Sequence, residues 1–374
     1  MATSADDLPP GAEPDEEVGV EEEIKDASRS LWRGLISLGI LVAIVVGLVL
    51  AVPGLHGVGK AVSHMNLAWL AVGVVLEILS CLGYVLAFLQ VFDRAPLRFG
   101  ARVALSELAF GAAVSLGGAG SVAVGAWLLV ERGGEPTRIA ERSAVLFLLT
   151  SAINVITLIL AGLGLWLGIL PGPSNPWLSL LPAAAGVACL VFFLALPHFS
   201  ERLASRREPG IVRTVLVETA ASIRGTEEVL FRWDWRIIGA IAFLWCDIAV
   251  LAVCFAAAGP VPPVAVIVLA YQIGYLSNVI PIPGNIGILD GSLVGMFVLF
   301  GVSATLATAA TVVYHAIALW IPAMWGTGAF VILRRTRNRP LTLRPPREER
   351  LRLKRERREA RRREQEERRK VRSG

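Results

Sequence analysis

Residues 264–300 read VAVIVLAYQIGYLSNVIPIPGNIGILDGSLVGMFVLF, an apolar segment that is interrupted in its middle. The interruption, residues 281–287, contains two prolines and two glycines. Proline removes a backbone donor and glycine tolerates backbone angles that other residues avoid, so a helix is expected to break here. Each remaining piece is shorter than the roughly 20 residues that a helix needs to cross a bilayer. The segment is therefore predicted to enter the membrane and return as a re-entrant hairpin.

A second apolar segment, residues 103–130, is broken in the same way by Gly117, Gly118 and Gly120. Uninterrupted apolar stretches elsewhere are long enough to cross a bilayer. They lie at about 34–52, 67–92, 144–168, 177–197, 237–258 and 303–333. The predicted fold is an all-α polytopic membrane protein with six full transmembrane helices and two re-entrant hairpins.

Composition and charge support a membrane protein with charged ends. Of the 374 residues 55% are hydrophobic and 18% are charged, against about a quarter charged in soluble domains. Residues 1–29 hold ten acidic and two basic side chains and are predicted to be disordered. Residues 334–374 hold nineteen Lys or Arg and seven Glu and are predicted to form a cytoplasmic tail. Residues 30–333 form the predicted membrane domain.

The charges of the loops predict how the chain is threaded. Loops 93–102, 131–142 and 198–236 are rich in Arg, whereas 53–66, 169–176 and 259–263 carry only Lys60 and two His. Basic loops stay on the cytoplasmic side. This rule is satisfied if segment 103–130 enters from the cytoplasm and returns, and if segment 264–300 does so from the opposite face. Both termini are then cytoplasmic, and the protein lies in the cytoplasmic membrane.

The threading contains an inverted repeat. One copy covers about residues 67–168 and the other about 237–333, and each has the order span, hairpin, span. The spacing agrees, since Glu77 precedes Gly117 by 40 residues and Asp247 precedes Gly287 by 40. Inverted repeats with broken helices are typical of transporters, in which irregular backbone at membrane depth lines a cavity or is buried in protein.

The motif Pro281-Ile-Pro-Gly-Asn-Ile-Gly-Ile-Leu-Asp290-Gly-Ser resembles a family signature. The signature is Pro-x-Pro-Gly-Gly-(Leu/Ile)-Gly-x-x-Glu-Ala, of the lysylphosphatidylglycerol synthase transmembrane, or flippase-like, family. Three further segments extend the resemblance over about residues 34–333, namely Gly301-Val-Ser, Val313 to Pro322 and Ser115 to Trp127. It implies a membrane protein that handles lipids.

Three residues depart from that signature, namely Asn285 for Gly, Asp290 for Glu and His315 for Arg. The acid is retained in type, whereas the positive charge of His315 depends on pH. Synthase members also carry an aminoacyl-transfer domain. The forty-one residues after 333 are mostly Arg and Glu, so we expect no lipid aminoacylation by this chain and no enzyme activity.

Carboxylates in the middle of apolar spans are the first candidates for a substrate site. Each costs about 2.5–3.5 kcal/mol at a helix centre and should face the protein interior. The alternative for each is a structural hydrogen bond between helices. Glu107, in the first hairpin, is expected near the interface, where it reaches water. The candidate substrate-contacting residues are Glu77, Gly117, Gly118, Gly120, Asp247, Asn278, Pro281, Pro283, Gly284, Asn285, Gly287, Asp290, Tyr314 and His315. Asp290 and His315 are predicted to meet if the last span packs on the second hairpin, either as a pair that gates or relays a proton or as a structural polar contact.

The leading functional hypothesis is translocation or binding of a phospholipid or lipid-linked substrate, with anionic membrane lipids as partners. Two alternatives stay open: a non-transporting partner of an envelope-synthesis enzyme, and a transporter of a small solute. The four cysteines lie in apolar runs without metal-ligand spacing, so no metal or cofactor is expected. Nucleotide-binding fingerprints are absent from the sequence. Nucleic-acid binding is not expected.

Overall fold

A computed structural model describes residues 56–113, 119–173, 175–205, 220–227, 235–275 and 286–336. This part of the chain is built from helices without strands. The helices are α1 (His56–Ser63), α2 (Leu67–Val91), α3 (Leu97–Ala113), α4 (Ala119–Val130), α5 (Pro136–Trp166), α6 (Pro176–Ser205), α7 (Ile237–Ala258), α8 (Val264–Tyr275), α9 (Ile286–Leu299) and α10 (Ala304–Arg335). A further short helix covers residues 220–227.

Five of these helices are long and apolar enough to cross a membrane: α2, α5, the part of α6 up to Pro197, α7 and α10. They correspond to five of the six predicted spans, while the predicted span 34–52 lies outside the described residues. Two boundaries differ most from expectation: α5 begins at Pro136, eight residues before the predicted start at 144, and α6 ends at Ser205, eight residues after the predicted end at 197. Proline is favoured in the first helical turn, where its missing N–H group is not needed. The loop predicted at 53–66 contains helix α1.

The two interrupted segments each form a pair of antiparallel helices. In the first pair, α3 and α4 lie side by side, and Glu107 of α3 contacts Gly125 of α4. In the second pair, the Ser292 hydroxyl of α9 donates to the Gly274 carbonyl of α8 over 2.9 Å. Both contacts join residues that are nearly equidistant from the break. The segments therefore fold back on themselves as hairpins.

The two predicted repeats, α2 to α5 and α7 to α10, are called the two halves of the chain from here on. Both use the same turn after the hairpin. Gly133 follows α4 with φ of 80°, and Gly301 follows α9 with φ of 86°. Each glycine N–H bonds the carbonyl three residues back over 2.9 Å, and the next residue's N–H bonds the carbonyl five residues back. This is the glycine-terminated helix end, which requires a left-handed backbone. The last span of each half, α5 or α10, begins three residues after its glycine.

Helices α2 and α7 form the most extensive contact between helices in the described structure. Gly73 near the start of α2 faces Val253 near the end of α7, while Gly83 faces Gly239 and Phe243 near the start of α7. The helices are therefore antiparallel. A Cβ atom on Gly83 would come within 2.7 Å of the Gly239 carbonyl oxygen, so the backbones touch. Small residues permit such close packing between membrane helices.

The remaining helices surround this pair in matched positions. The contact between α3 and α10 has its counterpart between α8 and α5, and that between α2 and α10 has its counterpart between α7 and α5. Helix α6 packs on α5 at the edge of the bundle. Only 17% of its apolar span is buried, compared with 56% of the apolar span of α2. Its exposed side chains, such as Trp177 and Phe192, form an apolar outer surface.

Candidate functional site

A carboxyl group in the middle of α7 is the centre of a polar cluster. Asp247 Oδ2 accepts hydrogen bonds from the hydroxyl groups of Tyr271 on α8 and Tyr314 on α10, the latter over 2.9 Å. The Tyr314 side chain is fully buried and the Tyr271 side chain is nearly so. Three helices of the second half of the chain are thus joined at a single carboxylate oxygen.

Glu77 brings the first half of the chain into the same cluster. It lies in the middle of α2, and the antiparallel crossing of α2 with α7 places it opposite Asp247, with each carboxyl group within electrostatic reach of the other. The close approach at Gly83 and a 2.8 Å bond from the Ser80 hydroxyl to the Phe243 carbonyl fix the register of the two helices. The two acids that occupy equivalent positions in the halves of the chain therefore meet at the contact between those halves.

The surroundings of Glu77 contain few hydrogen-bond donors. Its side chain is 4% exposed, and its Oε1 atom faces the Cys81 thiol at 3.8 Å, a weak donor. The Oε2 atom has no hydrogen-bond partner among the described residues. A buried carboxylate without donors is costly, since it loses its hydration. Glu77 is thus far less well solvated by the protein than Asp247.

His315 completes the cluster on α10. Its ring lies 4.9 Å from that of Tyr314 and within electrostatic reach of Asp247. Thr311, one turn earlier on the same face, is fully buried. The predicted contact between His315 and Asp290 stays a prediction. Asp290 lies in the second turn of α9, but its side chain is outside what the structure describes.

A second carboxyl–tyrosine pair lies elsewhere in the first half of the chain. The Tyr84 hydroxyl on α2 donates to Glu107 Oε2 on α3 over 2.7 Å. Glu107 is 1% exposed and lies against Gly125 of α4. The expectation that Glu107 reaches water is therefore wrong. The helices of the hairpin pack around it, and the sequence alone did not show that Tyr84 would provide a donor.

The structure brings four of the predicted site residues together: Glu77, Asp247, Tyr314 and His315. Gly120 and Gly287 are the second residues of α4 and α9, at matching places after the two breaks. The other predicted residues, namely Gly117, Gly118, Asn278, Pro281, Pro283, Gly284 and Asn285, lie outside the described residues. Tyr271 and Cys81 also belong to the cluster. Cys81 could have been found from its position one turn after Glu77.

In the part of the chain that the structure describes, no group of three or more His, Cys, Asp or Glu side chains is arranged to hold a metal ion. The cluster instead offers two carboxyl groups, two phenol hydroxyls and an imidazole. These groups can exchange protons and bind polar head groups through hydrogen bonds.

The helices and the buried polar cluster define a multi-pass integral membrane protein with a polar site between two similar halves. Residues 34–326 match the family described as Lysylphosphatidylglycerol synthase TM region, and the chain belongs to that family. It is also similar to a UPF0104 membrane protein of Methanothermobacter thermautotrophicus, with 26% identity over 329 residues. That alignment covers 78% of this chain and 91% of the relative. The family resemblance indicated by the motif at residues 281–292 is thus confirmed.

Proposed function

We propose that this protein moves a phospholipid or lipid-linked substrate between the leaflets of the cytoplasmic membrane. The polar cluster of Glu77, Asp247, Tyr271, Tyr314 and His315, together with the two breaks, forms the path of the head group. The observation that carries the proposal is the meeting of Glu77 and Asp247 at the crossing of α2 and α7. A polar site between two repeats near mid-membrane is where transporters of this architecture bind substrate.

The proposed topology has six crossings and two re-entrant hairpins that enter from opposite faces. Contacts at the first hairpin support this arrangement. Arg132, just after α4, donates to the Leu333 and Thr336 carbonyls at the end of α10, over 3.1 and 3.2 Å. It also lies over the Phe99 ring at the start of α3, 5.3 Å from its centroid. The two ends of this hairpin are thus on one side of the bundle, as a re-entrant segment requires.

The proposed orientation follows from the charges at the two ends of the bundle. The end that includes Arg132 also includes Arg236, which donates to the Leu89 carbonyl over 3.3 Å. We call it the basic end. At the opposite end, the Asn66 N–H bonds the Ala257 carbonyl over 3.1 Å, and the nearby helix α1 contributes Lys60. Because Lys and Arg remain inside, the basic end is assigned to the cytoplasm.

A lipid substrate is favoured over a small solute by the family, and the apolar outer surface is compatible with such a substrate. Long apolar side chains on α6 and on α2, such as Phe192 and Leu79, are exposed to the surroundings of the bundle, so acyl chains can remain in the bilayer while a head group enters between helices. The family to which the chain belongs is the membrane region of a lipid synthase by its description.

The test is exchange of fluorescent phosphatidylglycerol between leaflets of proteoliposomes, followed by dithionite quenching. Asp247→Asn keeps the volume of the side chain but removes the acid that joins three helices. We expect it to slow exchange at least about tenfold, corresponding to about 1.4 kcal/mol in the barrier. Glu107→Gln is the matched control, since it neutralises a buried acid outside the cluster. Equal exchange in wild type and Asp247→Asn would contradict the proposed site, and no exchange in the wild type would contradict the function.

A further inference from the structure

We propose that Glu77 and Asp247 together hold one exchangeable proton, carried by Glu77, and that its release is coupled to movement of the lipid. The coupling rests on the proposed function, whereas the proton site does not. Both acids lie outside the motif at residues 281–292, so the family resemblance carried by that motif assigns neither of them this role.

The two acids lie opposite each other where α2 crosses α7. Gly73 faces Val253 and Gly83 faces Phe243, and this antiparallel register places Glu77 opposite Asp247. Each acid is within electrostatic reach of the other, and Glu77 is buried. Two neighbouring carboxyl groups in such a place do not both ionise, because the like charges repel and each loses hydration. Among the described residues, the side chains that stabilise or repel the charges of the pair most directly are Cys81, Tyr271, Tyr314 and His315. None of these carries the permanent positive charge of Lys or Arg that would allow both acids to remain charged.

The hydrogen bonds indicate which acid carries the proton. Asp247 accepts from two phenol hydroxyls, which stabilise its ionised form. Glu77 has only the weak thiol donor of Cys81, and its Oε2 has no partner among the described residues. A neutral Glu77 removes the cost of a buried charge without donors and can donate its own hydrogen towards Asp247. The geometry thus assigns the proton to Glu77 and the negative charge to Asp247.

The other ionisable groups around the pair leave this assignment unchanged. The thiols of Cys246 and Cys254 on α7 and of Cys81 on α2 lie within electrostatic reach. On α3, Glu107 is held by Tyr84. On α5, Arg138, Glu141 and Arg142 lie in the first two turns, near the basic end and away from the middle of the bundle. On α10, His315 is the basic side chain within electrostatic reach of Asp247.

Release of the proton breaks the O–H bond of Glu77 and transfers the proton to water, so the charge of the pair changes from one negative to two. Asp247 is partly exposed, whereas Glu77 is buried. The pair is therefore less enclosed on the side of Asp247, and we assign the exit of the proton to that side. The doubled charge favours separation of α2 from α7, or entry of a positively charged group, and this dependence links the proton to the conformation of the bundle.

Infrared spectroscopy of the purified full chain tests the proton site directly. The C=O stretch of a protonated carboxyl group is separate from that of a carboxylate. We expect one protonated band to disappear in Glu77→Gln and to shift but persist in Asp247→Asn. Glu141→Gln, which changes an exposed acid, should leave the spectrum in this region unchanged. If Glu77→Gln does not fold, Glu77→Asp should shift the band. A band that is absent from the wild type, or that is lost in Asp247→Asn alone, would overturn the assignment.

Vesicles containing phosphatidylcholine and fluorescent phosphatidylglycerol test the coupling. A pH gradient imposed across wild-type vesicles should change the ratio of inward to outward exchange by up to about tenfold per pH unit. Nigericin should abolish this change, and Glu77→Gln should not respond to the gradient. If the ratio of inward to outward exchange by the wild type does not change with the pH gradient, the coupling is overturned and the proposed function is unaffected. If exchange is absent but the Glu77 band is present, the proposed function and the coupling fail and the proton site remains.

Discussion

The two halves of the chain each use a tyrosine–carboxyl bond to join the first span to the first arm of the hairpin. In the first half, Tyr84 is on the span and Glu107 is on the hairpin. In the second half the types are exchanged, with Asp247 on the span and Tyr271 on the hairpin. The partners are 23 residues apart in one half and 24 in the other. The same hydrogen bond between span and hairpin thus occurs in both halves, with the positions of the tyrosine and the acid exchanged.

The difference lies in what else each acid contacts. Glu107 is enclosed by its own half, between α2, α3 and Gly125 of α4. Asp247 contacts the other half through Glu77 and the last span through Tyr314. A change at Glu107 affects one link, whereas a change at Asp247 affects the contact between the halves. We therefore interpret the first pair as structural and the second as the functional one.

The largest expected effect concerns the crossing of α2 and α7, where Glu77 and Asp247 lie opposite each other. In Gly83→Ala the new Cβ would lie 2.6 Å from the Phe243 backbone nitrogen, so α2 and α7 must separate. Overpacking of this kind costs about 1–3 kcal/mol. Gly239→Ala should cost a similar amount, because its Cβ would lie 2.8 Å from the Gly83 carbonyl oxygen. The measurement is the free energy of unfolding in mixed micelles.

Gly328→Ala provides the control for this prediction. Gly328 lies in α10 and has no atom within 4 Å of the added Cβ. Alanine is favoured over glycine in a helix by up to about 1 kcal/mol, so this variant should be as stable as the wild type or more so. Equal stability of Gly83→Ala and Gly328→Ala would show that the backbones of α2 and α7 are farther apart at their crossing than in the structure.

A smaller effect separates the two tyrosine–carboxyl pairs. Tyr84→Phe removes the hydroxyl that donates to Glu107, and we expect a loss of stability at the lower end of the range of about 1–3 kcal/mol that is typical of a buried polar group that loses its partner. Lipid exchange by the folded variant should stay close to that of the wild type.

Tyr314→Phe should behave in the opposite way. Asp247 keeps the bond from Tyr271, so the loss of stability is expected to be nearer about 0.5–1.5 kcal/mol. Exchange should fall more than in Tyr84→Phe, since the lost hydroxyl belongs to the cluster. Unfolding and dithionite quenching on the same preparations measure both quantities. A greater loss of exchange in Tyr84→Phe would reverse the assignment of the structural and the functional pair.

Five of the six spans, and the pairs of short helices on either side of the predicted breaks, could be predicted from the sequence because both depend on local properties. Apolar length defines a span, and the glycines near residue 117 and the prolines near residue 282 define the breaks. The equal spacing from Glu77 and Asp247 to these breaks indicated that the acids are equivalent. It did not show that they meet, because contact depends on how the two halves pack. That packing is determined by Gly83 and Gly239, which are not distinctive in an apolar sequence with 36 glycines.

The smallest expected effect concerns the first hairpin at the basic end. Arg132 donates two bonds to carbonyl groups at the end of α10 and lies over the Phe99 ring. Arg132→Lys keeps the positive charge that the topology requires but loses the planar group that makes these contacts together. We expect a loss of about 0.5–1.5 kcal/mol in stability, comparable to a single hydrogen bond. The matched control is Arg138→Lys, at an exposed position in the first turn of α5, which should have no effect.

Cysteine accessibility then tests whether the contacts of Arg132 hold the hairpin in place. A cysteine introduced at the exposed Arg98, at the start of α3, and one at the exposed Glu135, before α5, should react with an impermeant maleimide from the same face of sealed vesicles. In Arg132→Lys both should still react from that face, because the charge is unchanged. Labelling of the two positions from opposite faces in the wild type would mean that residues 97–130 cross the membrane once. The correspondence between the two hairpins, and the inverted repeat built on it, would then be lost.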